Sequence, residues 1–194
     1  MKPGRAIKEE LRCIEQILIL LEVMCHRIED GDQVDSADLR RVLNMMRSFI
    51  DQCHNQKEEK VLFPALRHCK DPVKSSQIQE LVSENKLGSF YMVLLGKLCS
   101  SMMHGDPEAK QKFVKVSRKY IDLEARHIRK EAEFVVPMTQ QRLSEEEKSH
   151  VEHDFDDYED ELFGGEGLHT KFHEAMGSAI NHLNEVYIGS GSHN

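Results

Sequence analysis

"HNQKEEKVLFP", residues 54–64, sets a histidine and a glutamate four positions apart, ahead of an apolar run closed by proline. On a helix, positions i and i+4 stack on one face, so His54 and Glu58 look the same way. Either both face water, or both face something inside that needs an imidazole and a carboxylate. A second stretch bears on the choice. "HIRKEAEFVVP", residues 127–137, repeats the first at a constant offset of 73 residues. The offset pairs His54 with His127, Lys57 with Lys130, Glu58 with Glu131 and Pro64 with Pro137. One HxxxE on a helix is weak evidence, because solvated faces produce it often. Two copies in register imply one job done twice, in two halves of a pseudo-symmetric structure.

The rest of the chain supplies the helices these motifs need. Its 194 residues are 39% hydrophobic and 31% charged, enough for a core and unlike a disordered segment. Prolines are few, and the polar runs are rich in Glu, Lys, Arg and Gln, which favours helices. No period-2 alternation with turn dipeptides appears, so no sheet is expected. A first helix runs from about Pro3 to Glu29 and stops at "DGDQ". Asp35 caps the next, and the "DP" pairs at 71 and 106 place an N-cap before a first-turn proline. Ser144 and Glu147 form a capping box, and "GGEG" at 164 breaks the chain before a last helix that fades near Ile188.

Four long helices, each roughly 25 to 35 residues and joined by short loops, imply an antiparallel up-down bundle. The expected organisation is a bundle over residues 1–140, a helical extension over 141–188 and a tail over 189–194. Met45, Met46, Met102, Met103, Phe49, Phe63, Phe90 and Phe113 are expected to fill the core.

The net charge of -8, with no Lys/Arg cluster, argues against a nucleic-acid partner. No apolar run is long enough to cross a bilayer. Cys13, Cys25, Cys53, Cys69 and Cys99 form an odd, scattered set, read as reduced thiols of a cytoplasmic protein. Cys53 adjoins His54, but its ordinary reading is a small buried hydrophobe.

An imidazole and a carboxylate on one inward face suit a metal ion. Neutral imidazole ligates iron, zinc, copper or nickel, and a carboxylate adds charge and bridges two ions. Bundle cores that hold two metals take such ligands from facing helices. His26, His68 and His104 sit near helix ends, where an imidazolium meets the negative end of the dipole. The acidic run at 150–161 lacks the glycine turn and spacing of a calcium loop, and reads as a solvated face.

The motifs also carry a resemblance. "KEELRCIEQIL", "CHNQKEEKVLFPAL", "LVSENKLGSF" and "HIRKEAEFVVPM" resemble the four helices of hemerythrin-like (HHE cation-binding) proteins. The stretch from Leu143 to Met176 is similar to the C-terminal region of one bacterial and archaeal branch. The resemblance implies a four-helix bundle around a non-haem di-iron centre that binds oxygen or reacts with it and its relatives. Two positions depart from the pattern: Leu11 and Asn85 stand where the family usually has histidine. His169 and His173, one turn apart in "GLHTKFH", are the expected compensation.

The expected metal ligands are therefore His54, Glu58, His127, Glu131, His169 and His173, holding one or two iron ions, with zinc as the alternative. The expected function is binding or sensing of a small diatomic or peroxide ligand. A metal-free helical interaction module and a mononuclear or zinc variant stay open beside it. No general acid, nucleophile or substrate pocket can be named, so the sequence leans away from an enzyme.

Overall fold

The computed structural model describes residues 3–67, 72–165 and 167–189, and of residues 72–74 the backbone only. Six helices carry almost all of it, and no strand occurs among the described residues. α1 is Pro3–Asp30, α2 spans 36–67, α3 is Pro72–Met103 and α4 spans 109–142. α5 (Glu145–Phe163) and α6 (Leu168–Tyr187) follow.

α3 packs along α4, and α1 lies against both α2 and α4, closing the bundle. α6 lies on α1, while α5 packs on α6 and reaches α2, so the extension covers one side of the bundle. Buried side chains recur every three or four positions, as in Ile7, Leu11, Ile14, Leu18 and Leu21 of α1. That spacing gives each helix one apolar stripe, and burying the stripes against one another holds the bundle.

Most boundaries follow local chemistry. α1 stops before Gly31, whose φ of +83° suits glycine. The Asp35 carboxylate accepts from the backbone N–H groups of Ala37 and Asp38 at 2.7 and 3.1 Å. Ser144 and Glu147 form the expected reciprocal cap. At Asp106 the outcome differs: its carboxylate accepts from Glu108 N–H at 2.9 Å, making a separate turn. α4 therefore opens at Ala109 and not at Pro107. Asp71, His68 and Cys69, and the tail beyond Gly189, lie outside the described residues.

One core expectation fails. Phe90 is 60% exposed, because α3 turns Asn85, Gly88, Met92 and Leu95 inward and Phe90 sits on its opposite face. Met102 and Met103 are only half-buried, whereas the other expected core residues are buried.

α2 and α4 are not uniform α-helices. Both widen to π-helical turns, at Met46–Asn55 and Glu58–Leu62 in α2 and at Glu131–Val135 in α4. The last two segments coincide under the repeat. Phe63 N–H bonds to Glu58 O, and Val136 N–H to Glu131 O, each five residues back. The prolines that follow account for the widening. Pro64 and Pro137 bring no N–H, and their rings press on the carbonyl four residues earlier, which opens the turn.

Candidate metal centre

The two HxxxE motifs meet inside the bundle. His54, Glu58, His127 and Glu131 are all buried, at 1% exposure or less. Glu131 stands between the two histidines: its Oε2 lies 3.2 Å from His54 Nε2 and its Oε1 2.6 Å from His127 Nε2. The second approach is close but not aligned as a hydrogen bond, so both atoms remain unpartnered. Glu58 is more exposed to this problem still. Neither of its carboxylate oxygens has a hydrogen-bond partner, and the nearest base, His54 Nε2, is 4.0 Å away. Donor atoms of His54, Glu58 and Glu131 lie within 4.8 Å of one another.

Each histidine is held from behind. His54 Nδ1 bonds Glu10 Oε2 at 2.7 Å, and His127 Nδ1 bonds Glu84 Oε2 at 3.0 Å. With Nδ1–H donated to a carboxylate, each ring presents Nε2 to the centre. This carboxylate–histidine arrangement fixes the tautomer and raises the basicity of the ligating nitrogen.

The repeated lysines complete the pattern. Lys57 pairs with Glu10, and Lys130 pairs with Glu84. The halves differ in what lies outside them. Lys57 is 1% exposed, pairs also with Glu159 of α5, and lies over the Phe155 ring at 5.0 Å. The Lys130 side chain is 36% exposed and its other partner is Glu80. The extension thus seals one half of the pseudo-symmetric site and leaves the other at the surface.

Electrostatics follow from this crowding. Burial alone would raise Glu10, but Lys57 and His54 outweigh it and bring its carboxyl down to about 2. Burial likewise opposes charge on both histidines, yet Glu131 and its neighbours raise them well above the ordinary imidazole range. Glu131 is itself held below the ordinary carboxylate range, against its burial, by His127 and His54. Glu58 goes the other way, pushed up by burial and by Glu131. Another buried carboxyl, Glu124, stands one turn before His127, and burial lifts it to about 7. It fits because α3 carries Gly88 opposite, where a Cβ would stand 2.6 Å from Glu124 Oε1.

A divalent cation fits these residues. It would satisfy the two orphaned Glu58 oxygens and the inward Nε2 atoms, and an unpaired buried carboxylate otherwise costs several kcal/mol. The donors are uneven. His54, Glu58 and Glu131 gather on one side, whereas His127 closely approaches the shared Glu131 on the other. Leu11 is buried and lines a groove between α1 and α4 with Ile121, Ala125 and Ile128. Asn85 is buried and donates Nδ2 to Glu59 at 3.0 Å.

A family model, the hemerythrin HHE cation binding domain, matches residues 7–139. The chain belongs to this family. No curated protein and no solved structure matches it. The family match covers nearly all of the four-helix bundle, from Ile7 to Thr139, and so includes both HxxxE motifs and both supporting glutamates. α5 and α6 lie beyond it.

His169 and His173, the other expected ligands, do not join the His54 cluster. His169 Nδ1 bonds Asp160 Oδ1 at 3.1 Å, and its Nε2 lies 4.0 Å from Glu159 Oε2. His173 packs edge-on against Phe49, with ring centroids 5.4 Å apart. Both line a cavity of about 450 Å³ between bundle and extension, whose wall includes Glu10 and Lys57. Glu10 therefore stands between these histidines and His54. The physical reason is register: α6 docks along α1, on the outer side of the Glu10–Lys57 pair.

Glu10, Glu84, Lys57 and Glu159 belong to the candidate site by their contacts, and the motifs do not mark them. Glu10 and Glu84 immediately precede the two departures, Leu11 and Asn85. Lys57 and Lys130 were visible as a matched pair within the repeat. Glu159 belongs to the acidic run read as a solvated face, and it turns inward to meet Lys57.

Proposed function

We propose that this protein is a cytoplasmic, iron-binding hemerythrin-family protein that binds or senses a small diatomic or peroxide ligand. The observation that carries the reading is the buried Glu58 carboxylate, without a hydrogen-bond partner and facing His54 Nε2 and Glu131. His54, Glu58 and Glu131 would hold the first ion, with His127 and Glu131 available to a second. Iron bound there supplies a redox-active Lewis acid to which such a ligand binds reversibly or reacts.

The chain's own residues do the rest. Glu10 and Glu84 keep each imidazole turned with Nε2 inward. Lys57 holds Glu10 in place and balances its charge. Leu62, Phe63 and Val135, all fully buried beside the motifs, keep water from the centre. The free thiols Cys13, Cys25, Cys53 and Cys99 support a reducing compartment.

A single-ion or zinc form of the same site is the second reading. It is favoured by the uneven donor sets, His54, Glu58 and Glu131 on one side against His127 and the shared Glu131 on the other. Metal analysis of untagged protein tests both. Iron with absorption from an oxo-bridged ferric pair supports the first reading, and one ion or zinc supports the second. No metal at all would leave a helical interaction module that has lost the site.

A further inference from the structure

On the other side of Glu10 from the His54 cluster lies a set of donors of different chemistry. Cys53 on α2, Glu159 on α5 and His173 on α6 bring one donor atom each to within 4.8 Å of the others. Cys53 and Glu159 are buried and His173 is half-buried beside the 450 Å³ cavity, which Glu159 and His173 line. Three separate elements, two of them in the extension, converge there.

We propose that Cys53, Glu159 and His173 form a second metal site, of the zinc class, joining the bundle to its C-terminal extension. It is independent of the iron reading, because it shares no ligand with the His54 cluster. Thiolate, imidazole and carboxylate are the donor types of zinc sites that keep one position open. The open position would face the cavity, which also gives the ion its way in.

The geometry requires only modest closure. Around a tetrahedral zinc the donors stand about 3.5 Å apart, so atoms now within 4.8 Å of one another move by roughly 1 Å through side-chain rotation. The Cys53 thiol lies 3.9 Å from Glu159 Oε1, which also meets Lys57, while Oε2 faces His169 Nε2 at 4.0 Å. The ion would share Glu159 with Lys57, which keeps Glu10 as its other partner. Charge balances as well. Burial holds the Cys53 thiol towards its protonated form, so the ion itself would have to displace that proton to solvent, after which the thiolate and Glu159 would supply two negative charges. His173 makes ring contacts with Phe49 and Phe172 and no hydrogen bond to another described residue, so a ring nitrogen is free to ligate.

Cobalt(II) titration of the full chain separates this site from the His54 cluster, which contains no sulfur. The expected result is a thiolate-to-cobalt charge-transfer band in the near ultraviolet. It should vanish in Cys53→Ser and Cys53→Ala, and His173→Ala should weaken the cobalt affinity that it reports by tenfold or more. It should persist in Glu131→Gln, which disables the other cluster. Absence of the band at saturating cobalt, its survival in both Cys53 variants, or its loss in Glu131→Gln would each overturn the proposal. His173→Ala, at a half-buried position, keeps the test open if a Cys53 variant folds poorly.

Discussion

Glu131 Oε2 lies 3.2 Å from His54 Nε2, across a sequence separation of 77 residues. Two different helices supply this pair, whereas the shorter 2.6 Å approach of His127 Nε2 to Glu131 Oε1 lies within α4. The contact exists because α2 and α4 carry the same motif and face each other. It makes the cluster a single electrostatic unit, and the consequences are measurable.

Glu10→Gln and Glu84→Gln should each weaken metal binding by roughly 10- to 100-fold, as loss of an outer-shell carboxylate does. Glu10→Gln should also destabilise the protein more than Glu84→Gln, because Lys57 is buried and Lys130 is not. Chelator competition and urea unfolding check the two parts. Unchanged metal affinity in both variants would show that the Nδ1 contacts do not orient the rings.

The repeat makes a sharper contrast at the lysines. Lys57→Ala leaves Glu10 and Glu159 buried without their cation, and should cost about 3–5 kcal/mol. Lys130→Ala removes a surface pair and should cost less than about 1 kcal/mol. Equal losses in urea unfolding would contradict the sealing of the first half by the extension.

Stability should depend on pH in a metal-sensitive way. His54 and His127 have their proton affinity raised by Glu131, against the opposing effect of burial. A raised histidine contributes stability fully below its unfolded value of about 6.5 and loses it as pH rises through the folded value. Glu58, raised by burial, has the same sign, its contribution fading above the ordinary carboxylate range. Protein stripped of metal should therefore melt at lower temperature as pH rises past neutrality. Metal needs deprotonated ligands, so its binding strengthens over the same interval. The gain in Tm on adding metal should widen from pH 6 to pH 8. A gain that is constant or shrinks would refute this assignment of protons.

His169→Ala should leave metal at the His54 cluster in place, since His169 bonds Asp160 and lies beyond Glu10. Metal analysis of the variant against the wild type checks it. A sharp loss would restore the reading that His169 fills the place of a missing ligand.

Much of this was legible in the sequence. The four-helix bundle follows from helix signals and short loops, and the offset repeat sets His54, Glu58, His127 and Glu131 at matching positions of two helices. What stayed hidden depends on tertiary register. Glu10 and Glu84 are ordinary helix-surface residues by pattern, and only helix packing turns them inward. Glu159 sits among acidic neighbours that do face water, and nothing local marks it as the partner of a lysine 102 positions earlier. The π-helical turns at Glu58–Leu62 and Glu131–Val135 were half-visible through Pro64 and Pro137, which signal a disturbance but not its form. Phe90 shows the opposite error: an aromatic side chain reads as core, although its place on α3 faces out.

The central claim is that the buried His54–Glu58–Glu131 cluster is a cation site, and metal content in Glu58→Gln tests it most directly. Burial pushes Glu58 towards its protonated form, so the neutral amide should be tolerated and the variant should fold. Untagged wild-type protein and the variant would be loaded with ferrous iron without oxygen, dialysed and analysed for iron. The wild type should retain one ion or more per chain, and Glu58→Gln should retain markedly less while keeping its helical content. Equal iron in the two proteins, or none in the wild type, would contradict the claim.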